Sequence, residues 1–97
     1  MFPNTIEYKA NLNKFFIYSV GGKIIITPTQ LIFRPHSLNF GSSADQVFEI
    51  KDIVGYSKEF LTFFKIYFSN GNSIRLVVWQ KDEIIRQLED RRRFLVQ

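Results

Sequence analysis

Apolar residues alternate with a period of two through most of this chain, in short runs separated by turn residues, and the period changes only at Gln80. Successive side chains point to opposite faces of a strand but recur every three to four residues on one face of a helix. The pattern therefore commits the chain to several short antiparallel strands followed by one terminal helix. Ile24 and Ile26 share one face while Lys23, Ile25 and Thr27 share the other, as in a half-buried strand. Thr27-Pro28-Thr29-Gln30 places a proline at the second position of a tight turn, and Leu31 and Phe33 then alternate with Ile32 and Arg34, which predicts a hairpin. Phe16, Tyr18 and Val20 alternate with Phe15, Ile17 and Ser19, so the first strand is expected there, with Gly21-Gly22 as the turn out of it.

Residues 35–45 hold Pro, Ser, Asn, Gly and the lone His without a sustained period and read as a long loop. Strands are expected again over residues 47–50 and 53–58. In the last hairpin Phe64, Ile66 and Phe68 alternate with Lys65, Tyr67 and Ser69, Asn70-Gly71 suits a type I′ turn, and Ile74, Leu76 and Val78 return. From Gln80 onward Ile84, Ile85 and Leu88 recur at helical spacing. Asp82 and Glu83 stand at the positive end of the helix dipole, and Arg91, Arg92 and Arg93 at its negative end. The expected fold is α+β, mainly β: six or seven short antiparallel strands curled into a small barrel, with the C-terminal helix plugging its open end.

Ninety-seven residues, 45% hydrophobic and 23% charged, make one globular domain spanning residues 1–97. Eleven phenylalanines imply that large flat side chains fill its interior. With no cysteine, the chain has no disulfide, thiolate zinc site or cysteine nucleophile. The opening MFPNTIEYK lacks the basic and apolar regions of a secretory leader, and no apolar run approaches the roughly 18 residues needed to span a bilayer. A cytoplasmic chain, able to associate with a membrane surface, is expected. Thirteen Lys and Arg against nine Asp and Glu give a net charge of +4, a mild bias toward anionic partners.

Three segments in order resemble GRAM domains of the pleckstrin-homology superfold. GKIIITPTQLIFRP, residues 22–35, is similar to the family's opening hairpin. VFEIKDIVGY, residues 47–56, resembles its next strand and Asp-Ile step, and KIYFSNGNSIRLVVWQKDEIIRQLEDR resembles its closing hairpin and final helix. The likeness covers roughly residues 12–92. It implies a lipid- or protein-binding module, with basic residues around the opening hairpin as the anion contacts.

No catalytic constellation accompanies this pattern. His36 has no second His or Cys with which to share a metal, and the nearby Ser37, Ser42, Ser43 and Asp45 form no recognised spacing with it. Gly21-Gly22-Lys23 lacks the first glycine of a phosphate-binding loop and has Ile24 where the magnesium-binding hydroxyl belongs. Asp82, Glu83, Glu89 and Asp90 read as helix-surface charges paired with Lys81, Arg86 and the terminal arginines. Trp79 reads as a packing residue at the junction with the helix. No enzyme activity, cofactor or metal is expected.

Two features remain for binding. Lys14, Lys23, Arg34 and Lys58 fall near strand ends and are the candidate contacts for anionic phospholipid, with modest affinity because a histidine stands at position 36. Phe60, Leu61 and Phe63 lie in an apolar connection, residues 60–64, that must be buried against the core, a second copy, a partner protein or a membrane. The alternative from another class is a nucleic-acid-binding barrel using Lys65, Tyr67, Arg75 and Val77, a weaker reading because basic and aromatic residues interleave only on that hairpin.

Overall fold

The computed structural model describes residues 5–14, 18–36, 45–59 and 62–96. Seven antiparallel strands form one sheet: β1 (Ile6–Lys14), β2 (Tyr18–Ile26), β3 (Gln30–Pro35), β4 (Gln46–Glu49), β5 (Ile53–Lys58), β6 (Phe63–Phe68) and β7 (Ser73–Val77). Helix α1 (Lys81–Leu95) follows, and a 3-10 turn at Ile50–Asp52 joins β4 to β5. The strand order is β4-β3-β2-β1-β7-β6-β5, so β1 sits at the centre and β4 and β5 are the two edges.

The alternation over β2, β3, β6 and β7 translates directly into burial. Ile24, Ile26, Leu31, Phe33, Ile66, Phe68, Ile74, Leu76 and Leu88 fall into one core with Phe64 and Ile84, and Phe48 packs partly buried against it. The sheet curls around this core. Its most direct sign is the Phe48 ring stacked on Phe68, centroids 4.8 Å apart and 12° from parallel, which ties the edge strand β4 to β6 near the opposite edge.

Two expectations at the start of the chain are corrected. Gly21-Gly22 is no turn: β2 runs through it without a break, paired with β1 on one side, and with β3 from Gly22 onward on the other. The strand ahead of it is β1, whose Ile6, Tyr8, Ala10 and Leu12 alternate with Glu7, Lys9, Asn11 and Asn13. That alternation is a genuine strand signal, diluted because only two of its four inward residues are large aliphatics. The β6–β7 connection also departs from a two-residue turn. The Gly71 amide donates to the Phe68 carbonyl and the Phe68 amide to the Asn72 carbonyl, so three residues make the bend. Of these, Gly71 supplies the left-handed conformation (φ 89°).

Helix α1 lies on the inner face of the sheet, its Ile84 and Leu88 fully buried. Polar contacts fix it at both ends of the sheet. Arg91, only 2% exposed, donates from Nε to the Thr27 carbonyl at the β2–β3 turn (3.1 Å) and from its guanidinium to Gln87 Oε1 (2.6 Å). Arg92 donates to the Ile53 carbonyl at the start of β5 (2.6 Å), and the Tyr56 hydroxyl donates to Glu89 (2.8 Å). A guanidinium that reaches a backbone carbonyl satisfies a buried acceptor and its own donors together, so its burial is tolerated.

Burial, with the bond to the Glu89 carboxylate second, pushes the Tyr56 phenol well above its usual value. A raised phenol stays protonated in the folded chain while the unfolded chain ionises near pH 10, so stability falls as pH rises above about 10. Tyr56→Phe is expected to cost about 2 kcal/mol at neutral pH through the lost bond to a charged acceptor. It should also flatten the alkaline decline, as read by melting temperature from pH 7 to 11. An unchanged alkaline slope would show that Tyr56 is not the group responsible.

Candidate functional site

Pairing in register sets the outward residues of β1, β2 and β3 in rows across the sheet. Lys9, Lys23 and Arg34 stand abreast, since Lys9 pairs with Lys23 and Lys23 with Arg34. Neighbouring strands are about 4.8 Å apart, so three cations sit within about 10 Å. Like charges directly opposite repel, and the row survives through anions at its flanks. Lys23 Nζ is 2.9 Å from Glu7, and Arg34 meets Asp45 through two nitrogens, 2.8 Å at the closest. The Arg34 guanidinium beside it holds the Asp45 carboxyl below the usual carboxylate range, mainly through the hydrogen bonds. Lys9 has no ion pair among the described residues.

A trough runs beside this row. One end, about 290 Å³, is lined by Glu7, Tyr8, Lys9, Gly22, Lys23 and His36. The adjoining end, about 250 Å³, shares Lys9, Gly22 and His36 and extends past Asn11 and Val77 to Trp79. The two glycines do different things there. A Cβ on Gly22 would point inward and stand 2.3 Å from the Arg34 carbonyl oxygen and 2.9 Å from the Phe33 ring, so position 22 must be glycine for β2 and β3 to pair. A Cβ on Gly21 would meet only Asn11 and His36, both at 3.4 Å, an ordinary contact. Packing does not demand glycine at 21, whereas Gly22 lines both ends of the trough.

The expected anion contacts separate. Lys23 and Arg34 come together as the opening hairpin implies, and Lys9, absent from the expectation because β1 was, joins them. Lys58 is elsewhere: it ends β5 and pairs with Asp82 at the start of α1, at 2.5 Å. Lys14 ends β1, and its side chain lies outside the described residues. His36 is exposed beside Gly21, its amide donating to the Gly21 carbonyl (3.0 Å).

Trp79 overturns its expected packing role, being 86% exposed. Val78 takes the inward position instead, 2% exposed, and alternation sends its neighbour out. Of the apolar connection, Phe60 and Leu61 lie outside the described residues. Phe64 is fully buried in the core, and Phe63 is half-buried on the outer face opposite Val77. On the closing hairpin Lys65 lies over the Tyr67 ring at 5.4 Å, while Arg75 is gripped by both oxygens of Glu59 (2.6 and 2.9 Å). The basic groups of the nucleic-acid alternative are thus engaged with their own neighbours.

The helix carboxylates are likewise engaged. Asp82 meets Lys58, Glu83 meets Tyr8 and Arg86, Glu89 meets Tyr56 and Arg92, and Asp90 meets Arg93. Among the described residues no group of His, Asp and Glu is placed to hold a metal ion, and no helix is long and apolar enough to cross a membrane.

No protein-family model matches the chain, and no curated protein does. Among solved structures it is similar to the C-terminal domain of an unknown protein from Leishmania infantum. The TM-score is 0.72 at 20% identity, over 89% of this chain and 80% of that one. At that identity the likeness shows the fold and nothing further.

The two glycines give a direct check of the trough. Gly22→Ala is expected to lower the melting temperature steeply, because the clash is with backbone rather than a movable side chain. Gly21→Ala is expected to leave stability within about 1 kcal/mol of wild type or raise it slightly. Equal effects of the two substitutions would contradict the assigned geometry.

Proposed function

We propose that this chain is a non-catalytic binding module of the pleckstrin-homology superfold, GRAM-like, which docks weakly on anionic membrane lipid through the outer face of β1–β3. In this reading the curled seven-stranded sheet is that superfold's barrel and α1 its plug. Seven antiparallel strands in sequence, one C-terminal helix on the inner face, and the Phe48–Phe68 stack between opposite ends of the sheet support it. The chain would act in the cytoplasm, peripheral to a membrane.

The observation that carries the reading is the row of Lys9, Lys23 and Arg34 beside an open trough. Exposed ion pairs such as Lys23–Glu7 and Arg34–Asp45 hold little free energy, so a phosphate can take over either cation. The same internal carboxylates compete with the phosphate, which makes the affinity modest and strongly dependent on salt. Docking on a protein surface is the second reading. The half-buried pair of Phe63 and Val77 on the same face supports it.

Co-sedimentation with phosphatidylserine-containing vesicles tests the proposal. Wild type is expected to bind at low ionic strength and to release as salt rises to about 0.5 M. Lys9→Glu should weaken binding at least about tenfold, and Lys23→Glu with Arg34→Glu should abolish it. Lys58→Glu should leave it unchanged. Failure of wild type to bind at low salt would end the membrane reading.

A further inference from the structure

The chain has one tryptophan, and it is the most exposed large apolar side chain among the described residues. Its place is more informative than its exposure. Asn11 pairs with Val77 at the end of β7, and Trp79, two residues further on, lines the same end of the trough as Lys9. Trp79 is thus near the Lys9 end of the row Lys9, Lys23, Arg34. Trp79 also closes the end of the trough that Lys9, Asn11 and His36 share, with Val77 beside it.

An indole next to a row of cations has the chemistry of the bilayer interface. The ring's apolar body dissolves at the boundary between headgroups and acyl chains, its N–H stays among carbonyls and water, and the neighbouring ammonium groups face phosphates. We infer that Trp79 is the interfacial anchor of this chain: on an anionic bilayer the outer face of β1–β3 lies against the headgroups, Trp79 enters the boundary region, and α1 is held on the far side. The inference rests on the membrane reading above and adds to it a docking face and an orientation.

Another surface that combines exposed apolar side chains with cations is the end of α1, where Phe94 and Val96 are each 53% exposed. Two of its three arginines are engaged in holding the fold. Arg91 is buried on the Thr27 carbonyl, Arg92 bonds the Ile53 carbonyl and pairs with Glu89, and Arg93 pairs with Asp90. On the sheet face Lys9 has no ion pair among the described residues, and the trough beside it stands open to a headgroup.

As the sole tryptophan, Trp79 reports its own surroundings. The full chain is titrated with phosphatidylcholine–phosphatidylserine vesicles at about 2:1 in low salt, with Trp emission and co-sedimentation read in parallel. The expected result is a blue shift on binding, quenching by lipids brominated on the acyl chains, and protection from aqueous acrylamide. Trp79→Ala should lower vesicle affinity about tenfold and Trp79→Phe by less, with melting temperatures near wild type because the indole is exposed. If wild type sediments with vesicles while its emission stays solvent-like and Trp79→Ala binds equally well, the anchor is overturned and the membrane reading stands. If wild type does not sediment with vesicles, both fall.

Discussion

Where β2 passes β3, the backbones come so close that residue 22 has no room for a side chain. A Cβ there would overlap the Arg34 carbonyl, and the ring of Phe33 occupies the space beneath. Everything on the opening half of the sheet follows from that approach. It lets β2 continue for nine residues instead of turning, so one strand pairs with both β1 and β3. It also seats Phe33 at the base of the core, 1% exposed, against which the helix is laid. The cost of glycine in a strand interior is offset by the packing it permits.

The outer face is a consequence of the same pairing. Register alone puts Lys9, Lys23 and Arg34 side by side, and Trp79, just past the end of β7, is exposed at the trough it shares with Lys9. Acidic residues are placed only at the margins of this row, as Glu7 and Asp45. On the inner side three cations tie the helix to the sheet. Arg91 and Arg92 satisfy carbonyls at Thr27 and Ile53, and Lys58 pairs with Asp82, so the helix bridges the two ends of the sheet. The cations that tie the helix to the sheet thus lie on the face opposite the row of Lys9, Lys23 and Arg34.

Much of this was legible in the sequence because period reports faces. The strands from Ile24 onward, the Thr27–Gln30 turn and the helix all announce themselves through residues whose burial matches their spacing. The opening was not, for two physical reasons. Tyr8 and Ala10 dilute the apolar face of β1, and Gly21-Gly22, a turn signal, lies inside a strand, with Gly22 at a close approach to β3. Without β1 the sequence supplies no partner row for Lys23, so Lys9 is invisible as a site residue and Lys58, at a strand end, stands in its place. Trp79 misleads similarly, since an aromatic after an apolar strand favours the core by composition. Only the inward turn of Val78 shows that the parity goes the other way.

The central claim is that the face of β1–β3 meets the partner while α1 serves as scaffold. Paramagnetic relaxation of the amide and indole signals of the full chain, in anionic bicelles carrying a headgroup spin label, maps the contact over the whole molecule at once. The predicted result is greatest signal loss around Lys9, Lys23 and Trp79, with the second half of α1 least affected. Maximal loss along Glu89 to Leu95, or a pattern no different from that in neutral bicelles, would contradict it.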